Sequence, residues 1–355
     1  MQNLQDKETA MRKLRSCASQ NAVIVMLWLF FMMFFGNIFI EPLISYLRDE
    51  KHWDSQKLEG FYYIVYFSLQ FLIVFPVLIS MRNSESGQKM KTWFRKPNAT
   101  FGFVLKWACI AFGAGVAINL IQYGVLAAIL SLFKDSPQLN DRIKDMTSSD
   151  SGPVGNIAVF VSIAFLAPIF EELILRGAML TDTVKHGKWF AVVNIGILFG
   201  LFHMNYSQIL YAAGIGMVLC FVALKTGSII PCIFIHFFNN LFGAVMSFIM
   251  RKLPDGYLEA LQNRDFEAVR QFSEDSAVML MLMELMMFVT IAVAITGIVF
   301  LIIELQPKNR HRLSLNDFPS PLTTKEKIKA YYLSPYTVAL LVIVVIYTGV
   351  SMFGG

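Results

Sequence analysis

The apolar residues of this chain come in blocks of about 20 separated by short charged stretches, the spacing that a bilayer imposes on helices. The blocks fall at 21–46, 58–81, 103–133, 156–182, 188–205, 207–225, 228–250, 277–304 and 336–353. Of the 355 residues, 56% are hydrophobic and only 15% charged, a balance that a soluble globular domain rarely shows. The expected fold is therefore all-α, a polytopic transmembrane helical bundle of about eight or nine spans. Lys7, Arg12, Lys13 and Arg15 precede a first apolar run of roughly 25 residues, too long for the core of a signal peptide, so a retained first span is expected. There is no internal repeat and no low-complexity tract.

Basic residues alternate between loops. They gather at the N-terminus, in the loop after the second block (Arg82, Lys89, Lys91, Arg95, Lys96), at Lys185 and Lys188, at Lys225, and between 305 and 335. Positive-inside counting then puts the N-terminus in the cytoplasm of a multi-pass cell-membrane protein and the C-terminus outside. The acid-rich stretch from Asp135 to Asp150 and the mixed segment 251–276, read as a short amphipathic surface helix, face the other way. The net charge of +5 is accounted for by basic loops on an anionic membrane surface, and no nucleic-acid partner is expected. Four cysteines, Cys17, Cys109, Cys220 and Cys232, lack CxxC spacing and read as buried small residues. The chain divides into an N-terminal tail with two spans (1–100), a core (101–250), an extracytoplasmic segment with the eighth span (251–304), and a cytoplasmic linker with a C-terminal span (305–355). The ninth span reads as an appendage, and the methionines of the eighth as packing.

The stretch FEELILRGAML, Phe170 to Leu180, sets three charges in an apolar block. Each ionised side chain near a bilayer centre costs about 2.5 to 3.5 kcal/mol on insertion scales, so these must face protein or water. Glu172 and Arg176 are four apart, acid first, the better order for a pair on one helix face. Glu171 is turned about 100° away and left for another task. His203 ends FGLFH in the fifth block, and His236 and Asn240 share a face in HFFNN in the seventh. At a rise of 1.5 Å per residue, Glu171, His203, His236 and Asn240 lie at depths of about 18, 22, 12 and 18 Å from the cytoplasmic ends. A carboxylate, two imidazoles and an amide in one layer are what hydrolysis needs: a base for water and donors for the oxyanion. GILFG, Gly196 to Gly200, has the spacing that lets helices approach closely. His52, His186 and His311 are expected in solvated loops, and Asn37, Glu41 and Glu284 near the outer ends of spans.

EELILR fits EExxxR, FGLFH fits FxxxH and HFFNN fits HxxxN, in order on successive helices. The chain resembles, over roughly 100–250, the CPBP family of intramembrane proteases, which includes the CAAX prenyl proteases of the Rce1 type and bacteriocin-immunity proteins. The resemblance implies an Rce1-like core acting as an intramembrane endopeptidase on a peptide or membrane-anchored protein substrate. It implies that Glu171 activates water, that His203, His236 and Asn240 bind the water or hold the oxyanion, and that Glu172, Arg176 and Phe199 support them. HExxH is absent and related proteins have been interpreted as glutamate proteases without a metal; Glu171, His203 and His236 could also hold zinc, so the cofactor is either none or zinc. Two other readings stand beside this one: an ion-coupled carrier using the Glu171, Glu172 and Arg176 cluster, and a non-catalytic immunity or scaffold protein.

Overall fold

The structure, a computed structural model, describes residues 2–87, 89–130, 152–250, 252–254, 256–317 and 319–353. Among these the chain is helical and holds no strand. In chain order the long helices are α1 (Gln5–Asp49), α2 (Ser55–Ser84), α3 (Phe101–Val125) and α4 (Gly152–His186). They are followed by α5 (Lys188–Phe202), α6 (Tyr206–Thr226) and α7 (Ile230–Met250). Short helices α8 (Tyr257–Gln262) and α9 (Phe266–Asp275) lead into α10 (Ala277–Leu305), and α11 (Thr324–Tyr332) and α12 (Pro335–Phe353) close the chain. Seven helices are long and apolar enough to cross a membrane, or eight if α11 and α12, bent by 68°, count as one.

Every predicted block is helical, but α5 is shorter than expected. Its 15 residues extend about 22 Å, less than the usual hydrocarbon thickness. The segment 251–276 forms two helices rather than one, because the chain turns at Arg264, whose φ of 55° no helix can continue through. Residues 131–133, the acid-rich stretch Asp135 to Asp150, and Arg251 lie outside the described residues.

Four π-helical stretches interrupt the long helices: Phe31–Ile40, Gln70–Val74, Ser162–Leu166 and Leu173–Met179. The first three each end just before a proline, Pro42, Pro76 or Pro168. Proline has no N–H for the carbonyl four residues back, and its ring presses on that carbonyl; a wider turn relieves the crowding. The fourth has no proline and lies immediately after Glu172.

Most of the bundle shares one apolar core, and α4 runs through it between α2 and α7. The tightest pairing is α5 on α6. A side chain at Gly196 would collide with Met217 and one at Gly200 with the Ile209 carbonyl, as the small-residue spacing of GILFG predicts. Gly113 of α3 and Gly297 of α10 make a second close approach, which no such spacing announced.

The C-terminal span is no appendage: Leu340 and Val344 of α12, with Ala330 and Tyr331 of α11, are buried in the common core against α1. The methionines of α10 do not all pack inward; Met281 and Met287 are exposed on a helix that shows most of its surface to the surroundings. Arg82 is not a loop charge. It is buried near the end of α2, where it donates to Asn21 Oδ1 and Asp182 Oδ2, both at 2.7 Å. Asn21 in turn donates to Thr183 Oγ1 at 3.1 Å, so one polar cluster ties α1, α2 and α4 together. A buried charge needs such partners, because water is gone.

Candidate active site

Glu172 is fully buried and its Oε1 accepts two hydrogen bonds, from Arg176 Nη1 and from His236 Nδ1, each at 2.9 Å. Arg176 also donates from Nη2 to the Gly216 carbonyl at 3.1 Å, and its guanidinium lies 4.7 Å from the centre of the Phe199 ring. A single α4 carboxylate thus fixes side chains on α4 and α7, while the arginine reaches α5 and α6. Gly177, one residue further, leaves room for the Trp93 indole, which seals this face of α4.

Glu171 points elsewhere, as its place one step round the helix requires. Its Oε2 is 3.8 Å from His236 Nε2, and that oxygen accepts no hydrogen bond among the described residues. The Nδ1 of His236 faces a carboxylate, so Nδ1 carries the proton and Nε2 is left toward Glu171. In neutral His236, Nε2 and the Glu171 oxygen are both acceptors.

His203 caps the C-terminus of α5, with Nδ1 2.8 Å from the Phe199 carbonyl. Nδ1 is therefore the donor and Nε2 the free nitrogen. The chain turns sharply after it: Met204 has φ 47°, and Asn205 then caps α6 through its side chain, accepting from the Ser207 N–H at 3.0 Å. Left-handed backbone at a methionine costs on the order of 1 to 3 kcal/mol, so the surrounding packing holds this corner in place. His203 lines a cavity of about 260 Å³ with Met32, Met33, Asn205 and Tyr347. Phe199 joins the two imidazoles, standing edge-on to His203 at 4.9 Å and to His236 at 5.3 Å.

Asn240 is on α7 one turn beyond His236, and its Nδ2 donates to the Ile163 carbonyl on α4 at 3.0 Å. That carbonyl is one left over by Pro168. In the π-helical register the Ala167 N–H bonds to Ser162, so the next partner of Ile163 would be the N–H that Pro168 lacks. No hydrogen bond joins Asn240 to Glu171. Asn239 is turned back on its own helix, donating to Ile235 at 2.8 Å.

The structure thus gathers Glu171, Glu172, Arg176, Phe199, His203 and His236 in one contact chain and ties Asn240 of α7 to α4, the helix that carries the glutamates. The His236 to Glu172 bond was not foreseen, nor was the Ile163 carbonyl, for which Pro168 is the signal in hindsight. His52 and His311 are exposed as expected, but His186 is half-buried. As for zinc, no three His, Cys, Asp or Glu side chains among the described residues form a group that could hold a metal ion. His203 is turned to Phe199 and does not complete a set with Glu171 and His236, so these residues as placed do not fit a metal.

Buried acid and imidazole groups thus meet inside a bundle of helices long and apolar enough to cross a membrane. Residues 153–242 match the family described as type II CAAX prenyl endopeptidase Rce1-like, a stretch that contains all seven of the residues above. The chain is therefore a multi-pass membrane protein in which residues 153–242 form an Rce1-like domain, a match that implies a protease of the CAAX type. Such a family acts on a peptide or protein substrate at the membrane. No curated protein and no solved structure matches the chain.

Proposed function

We propose that the chain hydrolyses a peptide bond within or beside the bilayer using a water activated by Glu171. The observation that carries this is the division of labour within the glutamate pair. Glu172 is held by Arg176 and His236, whereas Glu171 keeps a buried oxygen that accepts no hydrogen bond and faces an imidazole at 3.8 Å. A water placed between them can donate one proton to Glu171 and the other to His236 Nε2, which orients a lone pair for attack and gives the first proton a destination. The attack forms one C–O bond and turns the substrate carbonyl into an oxyanion. His203 can donate to that oxyanion only in its doubly protonated form, since its Nδ1–H is committed to Phe199, and Asn240 retains one amide proton beyond the one given to Ile163. Collapse of the intermediate breaks the C–N bond and returns the proton to the leaving amine.

Arg176, Glu172 and Phe199 position His236 rather than react. Residues 101–250 are assigned as the catalytic core. The basic end of the bundle is placed in the cytoplasm, with the N-terminus, and the C-terminus outside. The substrate is a prenylated tail or a small precursor peptide such as a bacteriocin. The fixed Glu172 to Arg176 pair and the endopeptidase match favour this reading over an ion-coupled carrier or a silent scaffold. Cleavage of a library of membrane peptides by the purified protein in proteoliposomes tests it. Equal cleavage by wild type and Glu171→Ala would sink the mechanism.

A further inference from the structure

A second cavity lies away from the glutamates. A space of about 560 Å³ lies at the C-terminal end of α4, walled by α1, the last turn of α4, α11 and the Pro319–Pro321 stretch of the linker. Lys13, Lys185, His186 and Lys327 all line it, from three separate helices. Asp182 is the one acidic residue in the lining, and both of its oxygens are taken: Oδ2 by Arg82 and Oδ1 by Lys185, each at 2.7 Å. Arg82 adds a buried cation beneath the floor, and its Nη1 has no hydrogen-bond partner among the described residues. Asp317 is outside the lining; its Oδ1 accepts the Lys188 N–H at 2.7 Å, while its Oδ2 and the Lys327 ammonium both lie against Gly187, so it offsets part of the positive charge there. Lys13 and Lys327 take part in no ion pair of the described residues, while Lys7, close by in sequence, pairs with Glu326 at 2.5 Å.

Like charges on mobile side chains ordinarily spread into solvent. Here three helices hold them around one concave space of the size that takes a small ligand. The geometry points to a binding site for a phosphate-bearing anion, a phosphomonoester whose charge Lys13, Lys185 and Lys327 share above the Arg82 to Asp182 pair. Phosphate oxygens accept from several ammonium groups at once, and a compact dianion offsets the excess positive charge that Asp182 and Asp317 leave. The same chemistry comes from an anionic lipid headgroup or from a soluble phosphate compound. This site is independent of the proposed hydrolytic reading, and its test does not use cleavage.

The full chain in neutral detergent is titrated with inorganic phosphate and with glycerol 3-phosphate while its melting temperature is followed, with chloride at equal ionic strength as the control. In parallel the chain is placed in phosphatidylcholine nanodiscs with and without phosphatidic acid, and the lipid retained on extraction is measured by native mass spectrometry. The expected result is a rise in melting temperature in the first arm, which identifies a soluble ligand, or selective retention of phosphatidic acid in the second, which identifies a headgroup. Lys13→Gln with Lys327→Gln should weaken the responding arm roughly thirtyfold, as two lysines at an anionic surface contribute. Lys13→Arg with Lys327→Arg should preserve it. Wild-type behaviour no different from the chloride and phosphatidylcholine controls in both arms overturns the proposal without any variant, and so does an unchanged response in the glutamine pair.

Discussion

Glu171 and Glu172 differ by one step of the helix, and that step decides which carboxylate is available. Glu172 Oε1 is bonded to two cationic or imidazole donors at 2.9 Å; Glu171 faces one imidazole across 3.8 Å. Glu171→Gln should therefore lower the cleavage rate by about 10²- to 10⁴-fold, the range general-base catalysis supplies, with little change in melting temperature. Glu172→Gln should act the other way round. It leaves Arg176 buried without its anion, at a cost of about 3 to 5 kcal/mol, read as a fall in thermal stability in detergent even before activity is assayed. The Glu172 to Arg176 pair was legible in the sequence, because four-residue spacing on one helix fixes a shared face. The bond from His236 to Glu172 was not, since residue spacing sets depth along a helix but not how two helices are rotated toward each other. Arg82 was misread for a related reason: its partners Asn21 and Asp182 are 61 and 100 residues away, so nothing near it in sequence marks it as buried.

At the level of the helix, the wide turn of α4 before Pro168 gives Asn240 a task that its family motif alone does not disclose. The amide satisfies a carbonyl that proline has orphaned, and so ties α7 to α4 two turns ahead of the glutamates. Asn240→Ala should cost about 1 to 3 kcal/mol by leaving the Ile163 carbonyl unsatisfied. Pro168→Ala supplies the missing N–H, so in the double variant that cost should largely vanish. A thermal-stability cycle of the four proteins checks this, and strict additivity would refute the capping role. The helical blocks themselves were legible from hydrophobicity, and the α5–α6 contact from GILFG. Gly196→Leu should disrupt that contact, costing about 1 to 3 kcal/mol or more through overpacking, as seen in a reduced melting temperature. The π-helical turns were not foreseen, although Pro42, Pro76 and Pro168 stood in plain sight within their blocks.

For the molecule as a whole, the last two helices belong to the same core as the first. Tyr331, Leu340 and Val344 are buried with α1, and Tyr347 reaches the cavity beside His203. Removal of residues 319–355 should uncover the apolar side of α1 and cause aggregation on gel filtration in detergent, where an appendage would be lost without effect. The order of elements along the chain could be read in advance, but the return of the C-terminus to the N-terminal helix could not, because apolar blocks carry no address for their neighbours. One dimension of the bundle has a physical effect beyond the protein. The helix that ends in His203 extends only about 22 Å, and Trp189 and Val193 on it face outward, so the lipid beside it has less protein height to match than elsewhere around the rim. Hydrophobic mismatch predicts a locally thinner bilayer there, and with it a shorter path by which water and an extended polypeptide reach the buried carboxylate. Turnover should then depend on acyl-chain length, faster in short-chain than in long-chain membranes, so that the lipid composition of the host membrane becomes a rheostat for proteolysis.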